Sequence, residues 1–261
     1  MTGARRPHVA VSGPARTPDW QPEPAGPLMG ARAFAVVMGG PLVLIAAAIA
    51  SAAVSLRALA RRAAPPPAAA AGLAATAVYA WLFRPWMKAW GTRPGEAEKE
   101  LPGDETVPDP GVQQTRAITI EAPAEEVWPW LAQLGQDRAG FYSYRWLENL
   151  AGCRMPDAHE IRPEWQDRRV GHTVPLHPSA GLKLQRFDPG RALALERWYM
   201  ALEPDGPGRT RLYARSRTPR GAATLGYVLL FELPHFVMER KMLLGIKTRA
   251  EGVVPTPRQV A

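Results

Sequence analysis

One stretch of 24 consecutive uncharged residues, from Ala33 to Leu56, constrains this chain more than any other feature. It lies between Arg32 and Arg57 and reads AFAVVMGGPLVLIAAAIASAAVSL. At about 1.5 Å per residue, a helix of this length is long enough to cross a hydrocarbon layer of about 30 Å. The stretch therefore predicts a membrane-spanning helix. The alternative is a secretory signal peptide, but such peptides have a shorter apolar region and fewer residues before it.

A second uncharged run extends from Ala63 to Phe83, and three prolines open it, so that its usable part is residues 67–83. Aromatic and cationic residues of the kind found at headgroup boundaries follow it, namely Arg84, Trp86, Lys88 and Trp90. We therefore expect two transmembrane helices, about 33–56 and 67–83, that form a hairpin. For the second run, a disordered Ala/Pro linker or an interfacial segment is the alternative.

The positive charge of the chain lies almost entirely beside these apolar runs. Residues 1–93 contain ten Lys and Arg against two acids, a net charge of +8, whereas residues 94–261 contain 22 of each sign. Nucleic-acid binding requires a basic cluster within the folded part of a protein. We therefore predict the lipid bilayer as a partner, and no nucleic acid. Five cations near the outer ends of the hairpin against three in its loop favour cytoplasmic termini. We expect a multi-pass protein of the cell membrane, with its soluble domain in the cytoplasm.

Composition divides the rest of the chain into a folded domain and polar segments. Residues 1–30 are expected to be a disordered, basic, proline-rich tail, 91–112 a linker, 113–252 the globular domain and 253–261 a second disordered tail. The one cysteine, Cys153, excludes an intrachain disulfide and a cysteine-based zinc site. No metal-binding spacing of histidines and no nucleotide-binding glycine motif occurs, so neither metal nor cofactor is predicted.

Within the domain, hydrophobic periodicity predicts an α+β fold. Short helices are expected over 124–134 and 144–150, and a long helix over 222–251 closes the chain. Strands are expected over 114–120, 172–176, 182–187, 192–196, 198–203 and 209–217, with turn residues between them at hairpin spacing. The strands should therefore pair antiparallel.

The pattern of side chains also predicts what one face of the last strand and one face of the long helix contact. In the last strand, alternation places Arg209, Arg211, Tyr213, Arg215 and Arg217 on one face, which is typical of a solvated sheet face. In the long helix, a stripe of apolar residues is expected to cover the sheet. That stripe contains Leu225, Leu229, Leu233 and Phe236.

Three blocks of the sequence resemble a known superfamily. They are TRAITIEAPAEEVWPWLAQLGQDRAGFYSYRWLENLAG (115–152), IRPEWQ (161–166) and MERKMLLGIKTRAE (238–251), and they resemble a bacterial branch of the SRPBCC, or START-like and polyketide cyclase/dehydrase-like, superfamily. The resemblance implies a helix-grip (START/Bet v 1-like) fold. In this fold an antiparallel sheet wraps around a long C-terminal helix, and an apolar cavity lies between the sheet and the helix. Members bind lipids, sterols, polyketides or other hydrophobic molecules, and some are enzymes. Arg145 and His172 stand where an aspartate is typical.

An apolar pocket needs aromatic walls and a few polar groups to orient its ligand. Such residues crowd into two short segments and form the predicted ligand-binding set, which is Tyr142, Tyr144, Trp146, Glu148, Asn149, Arg162, Glu164 and Trp165. A buried Glu148 is the candidate acid or base, because burial disfavours its ionised form. The alternative is structural: the aromatic residues are packing, and Glu148 caps a helix or pairs with Arg162.

These observations predict a membrane-anchored protein that binds a hydrophobic or lipid-like small molecule in a helix-grip cavity. An enzyme of the polyketide cyclase/dehydrase-like type, acting on a hydrophobic substrate through Glu148, Tyr142 or Tyr144, is the first alternative. An interaction module without a ligand is the second. No nucleophile and base are paired in the sequence, which favours the binding protein.

Overall fold

The computed structural model describes residues 29–150, 152–156 and 158–252. The two tails expected to be disordered lie outside these ranges, except for the last two residues of the first. The described chain is an α+β structure in which a six-stranded antiparallel sheet packs against a long C-terminal helix, as the sequence predicts.

The helices, in chain order, are α1 (Met29–Ala60), α2 (Pro67–Val78), α3 (Arg84–Lys88), α4 (Ala124–Ala132), α5 (Arg145–Leu150), α6 (Ala222–Gly226) and α7 (Glu232–Ala250). The strands are β1 (Pro110–Ile120), β2 (Thr173–His177), β3 (Ala180–Asp188), β4 (Ala192–Leu195), β5 (Trp198–Pro204) and β6 (Thr210–Pro219). Short 3₁₀ turns occupy Asp104–Thr106 and Pro163–Trp165.

Two wide π-helical turns join neighbouring helices into longer ones. The turn Tyr79–Phe83 connects α2 to α3, and the turn Tyr227–Phe231 connects α6 to α7. Each precedes a proline, Pro85 or Pro234, by two or three residues. Proline has no N–H to donate and its ring crowds the carbonyl four residues earlier, so a widened turn at this place relieves both problems.

Helices α1 and α2 pack against each other as a hairpin. The approach is close at Gly72, where an added Cβ would stand 2.2 Å from the Ser51 hydroxyl oxygen. Many apolar side chains of the hairpin are exposed, and they include Val43, Ile49, Val54, Leu56, Trp81 and Leu82. In the part of the chain that the structure describes, no helix has both the length and the apolar character that crossing a membrane requires.

The sheet has the order β1-β6-β5-β4-β3-β2. Strands β2 to β6 follow one another as an antiparallel meander, and β1 pairs with β6 at the edge, with Ile118 opposite Leu212. All six strands lie within a few residues of the predicted positions, because turn residues separate them and alternating side chains mark their two faces. The prediction of antiparallel pairing is confirmed.

The hydrophobic core lies between the inner face of the sheet and the second half of α7. Met242, Leu243 and Ile246 of that helix are fully or almost fully buried against sheet residues such as Leu184 and Leu212. The predicted stripe on the first half of the long helix is wrong as a covering for this core. Leu225 is exposed, Leu229 and Leu233 are half-buried, and Phe236 is buried outside the core cluster.

The outer face of the sheet is covered by the segment Gly91–Val107, which belongs to the predicted linker. Its carboxylates pair with the arginines of β6. Glu96 accepts hydrogen bonds from Arg211 at 3.0 and 2.5 Å, and Asp104 accepts one from Arg215 at 2.7 Å. Below them a small second core forms from Leu101, Ala117, Ala194, Tyr199, Ala201 and Tyr213.

The prediction of a solvated arginine face is therefore wrong except at Arg209, which is exposed. The side chain of Arg215 is only 1% exposed, and Arg211 is almost as deeply buried. Alternation in β6 identified which residues share the face, but it carried no information about what covers them. The covering segment is rich in Pro, Gly and acids, which is a composition typical of linkers as well as of a partner for arginine.

Asp104 offers a test of this covering segment. Burial alone would raise the pKa of its carboxyl, but hydrogen bonds from Tyr199, the Leu101 amide and Arg215 lower it. Replacing Asp104→Asn leaves the buried guanidinium of Arg215 without its countercharge, which we expect to lower the free energy of unfolding by about 3 kcal/mol. Urea unfolding of the purified protein measures this.

Glu105→Gln is the matched control, because Glu105 belongs to the same turn but is exposed where it meets Arg186. Its expected cost is below about 1 kcal/mol. Equal losses for both variants would mean that the covering segment contributes little to the stability of the sheet.

Candidate functional site

The interface between the sheet and the long helix is apolar at one end and polar at the other. Along the inner face of β1, Ile118 and Ile120 are followed towards the start of the strand by Arg116 and Gln114. Arg116 is fully buried, and Gln114 is 1% exposed. A buried guanidinium is costly unless it is paired and hydrogen-bonded, so the partners of Arg116 define a constrained polar site.

Five polar side chains close into a ring at this end. Arg116 hydrogen-bonds to Glu239 and to the side-chain oxygen of Gln114. The amide of Gln114 donates to the Tyr227 hydroxyl at 2.9 Å, and that hydroxyl lies 2.7 Å from Nδ1 of His235. Nε2 of His235 lies 3.3 Å from Glu239, which completes the ring. We call these five residues the polar ring.

The direction of these hydrogen bonds follows from the chemistry of the groups. Because Gln114 donates to the Tyr227 oxygen, the hydroxyl proton of Tyr227 is available to Nδ1 of His235. A neutral His235 then carries its proton on Nε2 and donates it to the Glu239 carboxylate. Each of the five side chains thereby donates or accepts a hydrogen bond within the polar ring.

Glu239 carries the negative charge of the polar ring. Its Oε1 also accepts a hydrogen bond from the indole of Trp198 at 2.5 Å. Burial alone would raise the pKa of Glu239, but the charge of Arg116, together with hydrogen bonds from Arg116 and His235, lowers it to about 2. Burial raises the pKa of Tyr227, so its phenol stays protonated at neutral pH.

The end of the helical hairpin forms one wall of the polar ring. The carbonyl of Met87 accepts a hydrogen bond of 3.0 Å from Arg116 Nε, and the Met87 side chain is fully buried. Three residues earlier, Arg84 makes a bidentate ion pair with Glu232, which is 1% exposed. The Nε and Nη2 atoms of Arg84 lie 2.7 and 2.9 Å from the two carboxylate oxygens. The site therefore depends on three elements: the sheet, the long helix and the chain that leaves the hairpin.

Phe236 fills the space between these two polar contacts. Its ring meets those of Phe83 and Trp86 with centroids 6.4 and 5.5 Å away, and the Arg116 guanidinium lies 5.1 Å from its centroid. Aromatic rings at these distances and steep angles pack edge to face, which is favourable for both. We call residues 83–90 the hairpin exit. The hairpin exit and α7 are therefore joined by apolar as well as polar contacts.

One side of the polar ring remains open. The His235 side chain is 23% exposed, and the partly buried Trp198 ring lies 6.1 Å from it. The buried ring of Phe141 packs on Trp198, at 5.9 Å between ring centroids. An approaching molecule would meet the imidazole of His235 and the indole of Trp198, while Arg116 and Glu239 compensate each other behind them.

The predicted ligand-binding residues lie in two places near this site. Tyr142 is buried and hydrogen-bonds to Gln133 at 2.9 Å. Its backbone has φ of 53°, and its carbonyl oxygen would stand 2.3 Å from a Cβ added to Gly245. Arg249 stacks over the Tyr142 ring at 4.5 Å. Tyr142 thus lies beneath α7, in a position where packing explains its environment.

Residues 144–149 form and precede α5, which contacts α1 of the hairpin. Tyr144 and Glu148 are half-buried, whereas Trp146 is 66% exposed. Asn149, also exposed, accepts a hydrogen bond of 3.0 Å from the Met155 amide. Burial and the nearby Glu148 charge raise the pKa of Cys153 to about 12, so its thiol is not a nucleophile at neutral pH.

Arg162, Glu164 and Trp165 lie in and beside the 3₁₀ turn at 163–165. Arg162 is exposed, pairs with Glu160 at 2.9 Å and stacks over Trp165 at 4.7 Å. Its backbone amide also donates to Gln133 at 3.3 Å, so Gln133 connects this turn to Tyr142. The structure brings Tyr142 and the turn together through Gln133, and it assigns Arg162 to Glu160.

Sequence reasoning did not find the polar ring. The available signal was the spacing of His235 and Glu239, four residues apart on one helix face, together with two polar residues at inward positions of β1. Hydrophobic periodicity treats inward polar positions as errors in the pattern, so Gln114 and Arg116 were not singled out. Their meaning depends on which part of the long helix packs against them.

Comparison with known proteins adds no family assignment: no protein-family model matches this chain, and no curated protein matches it.

Glu239→Gln tests the charge balance of the polar ring. The substitution leaves Arg116 buried without a countercharge, which we expect to lower the free energy of unfolding by about 3 to 5 kcal/mol at neutral pH. The exposed carboxyl of Glu98 supplies the control variant Glu98→Gln, which should change little.

The pH dependence separates this effect from general damage. Because the folded pKa of Glu239 is about 2 and the unfolded value is about 4.3, its contribution is complete above about pH 5 and is lost as the pH falls towards 2. The stability gap between wild type and Glu239→Gln should therefore narrow in acid. A gap that stays constant from pH 6 to about pH 3 would contradict the assignment.

A second test concerns the hairpin exit. A fragment of residues 91–261 lacks Arg84 and Met87, so Glu232 and Arg116 each lose a partner. We expect it to be less stable to urea than a fragment of residues 84–261, measured in the same detergent, by about 3 kcal/mol or more. Equal stability of the two fragments would mean that residues 84–90 do not stabilise the folded domain.

Proposed function

We propose that this protein is a membrane-anchored binding protein for a hydrophobic or lipid-like small molecule. The observation that carries the proposal is the polar ring, which is a closed set of polar side chains within an otherwise apolar interface, with a partly exposed imidazole at its edge. Binding sites for small molecules combine apolar walls with a few placed polar groups, and this end of the sheet offers both.

The order of elements supports a helix-grip fold. The domain contains, in this order, one strand, two short helices, five antiparallel strands and a long helix. This is the order that the superfamily resemblance implies. In such a fold the ligand lies between the sheet and the last helix. The apolar end of this interface is closely filled, since Leu184, Leu195 and Ile246 are at most 1% exposed. We therefore place the ligand at the polar end, against Trp198 and His235.

The hairpin supports the membrane anchor. Its two helices begin and end close to the predicted spans, and their exposed side chains are largely apolar. A domain attached in this way would stand where hydrophobic molecules partition, which suits a protein that takes them up. The count of flanking cations favours the cytoplasmic side for the domain.

An enzyme remains the second candidate, and the order Tyr227, His235, Glu239 favours it. A phenol that donates its hydrogen bond to an imidazole, which in turn donates to a carboxylate, can pass its proton to the imidazole while the phenol oxygen takes a proton from a bound substrate. In this proposal Tyr227 replaces Tyr142 as the group that exchanges a proton with the substrate, because Tyr142 is packed beneath α7. Glu148 stays a candidate acid or base on α5.

His235→Gln tests the binding proposal. The variant removes the acceptor of the Tyr227 proton, and we expect it to bind its ligand several-fold less tightly. The full chain is purified from membranes in detergent, extracted with organic solvent and analysed by mass spectrometry. Membrane proteins carry lipid nonspecifically, so the measurement is the amount of each extracted compound per protein relative to wild type.

His172→Gln is the matched control, since the half-buried His172 lies in the loop before β2, outside the polar ring. One compound that is depleted in His235→Gln, but present at wild-type level in His172→Gln, is the expected result. Identical extracts from all three proteins, with unchanged thermal unfolding, would refute binding at the polar ring.

A further inference from the structure

The first half of the long helix is unusual because it carries almost no charge. The 17 residues from Ala222 to Met238 contain only one charged residue, Glu232. A helix of this kind is normally buried on all sides or lies in a membrane. Here it is neither enclosed by the domain nor part of the main core cluster.

The polarity of this segment is reversed relative to a helix on the surface of a soluble domain. The charged residues Glu232 and Glu239 point inward with Phe236, and all three are buried. The opposite face is half-buried or exposed and carries no charge. It consists of Leu230, Phe231, Pro234, Val237 and Met238, which recur at the spacing of one helix face. We call these five residues the outward face.

The ends of the segment determine how it can meet a membrane. It follows directly on β6, whose Pro219 pairs with Pro110, and it continues into the half of α7 that holds Met242 in the core. Both ends are thus fixed to the same domain, so the segment cannot cross a bilayer. It can only lie along the surface of one, over a length of about 25 Å.

The outward face is continuous with the hairpin. Helix α1 contacts the turn Tyr227–Phe231 and α7. The one charge of the segment, on Glu232, is neutralised by Arg84 of the hairpin exit, and the rings of Phe83 and Trp86 pack on Phe236. Cations stand at both ends of the segment, with Arg220 before it and Arg240 and Lys241 after it, as expected where headgroups begin.

From these contacts we infer that residues 222–238 are an interfacial membrane helix, whose outward face lies in the boundary between headgroups and acyl chains of a phospholipid bilayer beside the hairpin. Interfacial helices bury an apolar face to a depth of about 5 to 10 Å and keep cations at the headgroups. The domain would then lie against the bilayer, with the polar ring directly behind the lipid-facing helix. This inference rests on the proposed membrane anchor.

The single cysteine makes the test direct. In a full-length Cys153→Ser background, Phe231→Cys and Val237→Cys are each labelled with an environment-sensitive fluorophore. The proteins are placed in nanodiscs of phosphatidylcholine and phosphatidylglycerol. We expect the emission to shift to shorter wavelength and to be quenched by phospholipids with brominated acyl chains. Val170→Cys is the control, because Val170 is exposed and apolar but lies in the loop before β2.

A label at Val54→Cys, on the exposed side of α1, separates the two proposals. Quenching at position 54, with water-like emission at 231 and 237, would overturn the interfacial helix and leave the anchor in place. Water-like emission at all of these positions would overturn the anchor itself. Labels at 231 and 237 that are shielded from both brominated lipid and aqueous iodide would overturn the inference in favour of contact with a second copy of the chain.

Discussion

The ion pair between Arg116 and Glu239 is the interaction on which the rest of the structure depends. Both side chains are at most 1% exposed, and removing two charges from water costs several kcal/mol for each of them. Such a pair persists only if further hydrogen bonds compensate the remaining donors and acceptors. Gln114, Trp198 and the Met87 carbonyl supply them, and each comes from a different part of the chain.

Because one of these partners belongs to the hairpin exit, the hairpin and the domain cannot be regarded as an anchor and an independent body joined by a linker. Residues 84–90 complete the inner side of the sheet, and residues 91–107 complete its outer side through Glu96 and Asp104. Arginines of neighbouring strands therefore face carboxylates on both surfaces. The connecting chain therefore contacts buried arginines on both faces of the sheet, through the Met87 carbonyl on the inner face and through Glu96 and Asp104 on the outer one.

The sequence predicted the strands well because alternation and turn residues are local signals, and all six strands appeared near their expected positions. It did not predict which surface covers an alternating face. The arginines of β6 were assigned to solvent because their partners, Glu96 and Asp104, are about a hundred residues away in the chain. The polar ring was missed for the same reason, since Arg116 acquires its meaning only when Glu239 lies opposite.

The kind of side chain that the long helix buries changes at Glu239. Beyond Glu239, its buried side chains are apolar and fill the core. Up to and including Glu239 the buried side chains are Glu232, Phe236 and Glu239, and the residues of the outward face are apolar. A helix can be reversed in this way only where the elements on its inner side offer cations and the outside offers an apolar medium. Arg116 and Arg84 satisfy the first condition, and the proposed bilayer satisfies the second. A hydrophobic molecule leaving that bilayer would reach His235 and Trp198 without first crossing water.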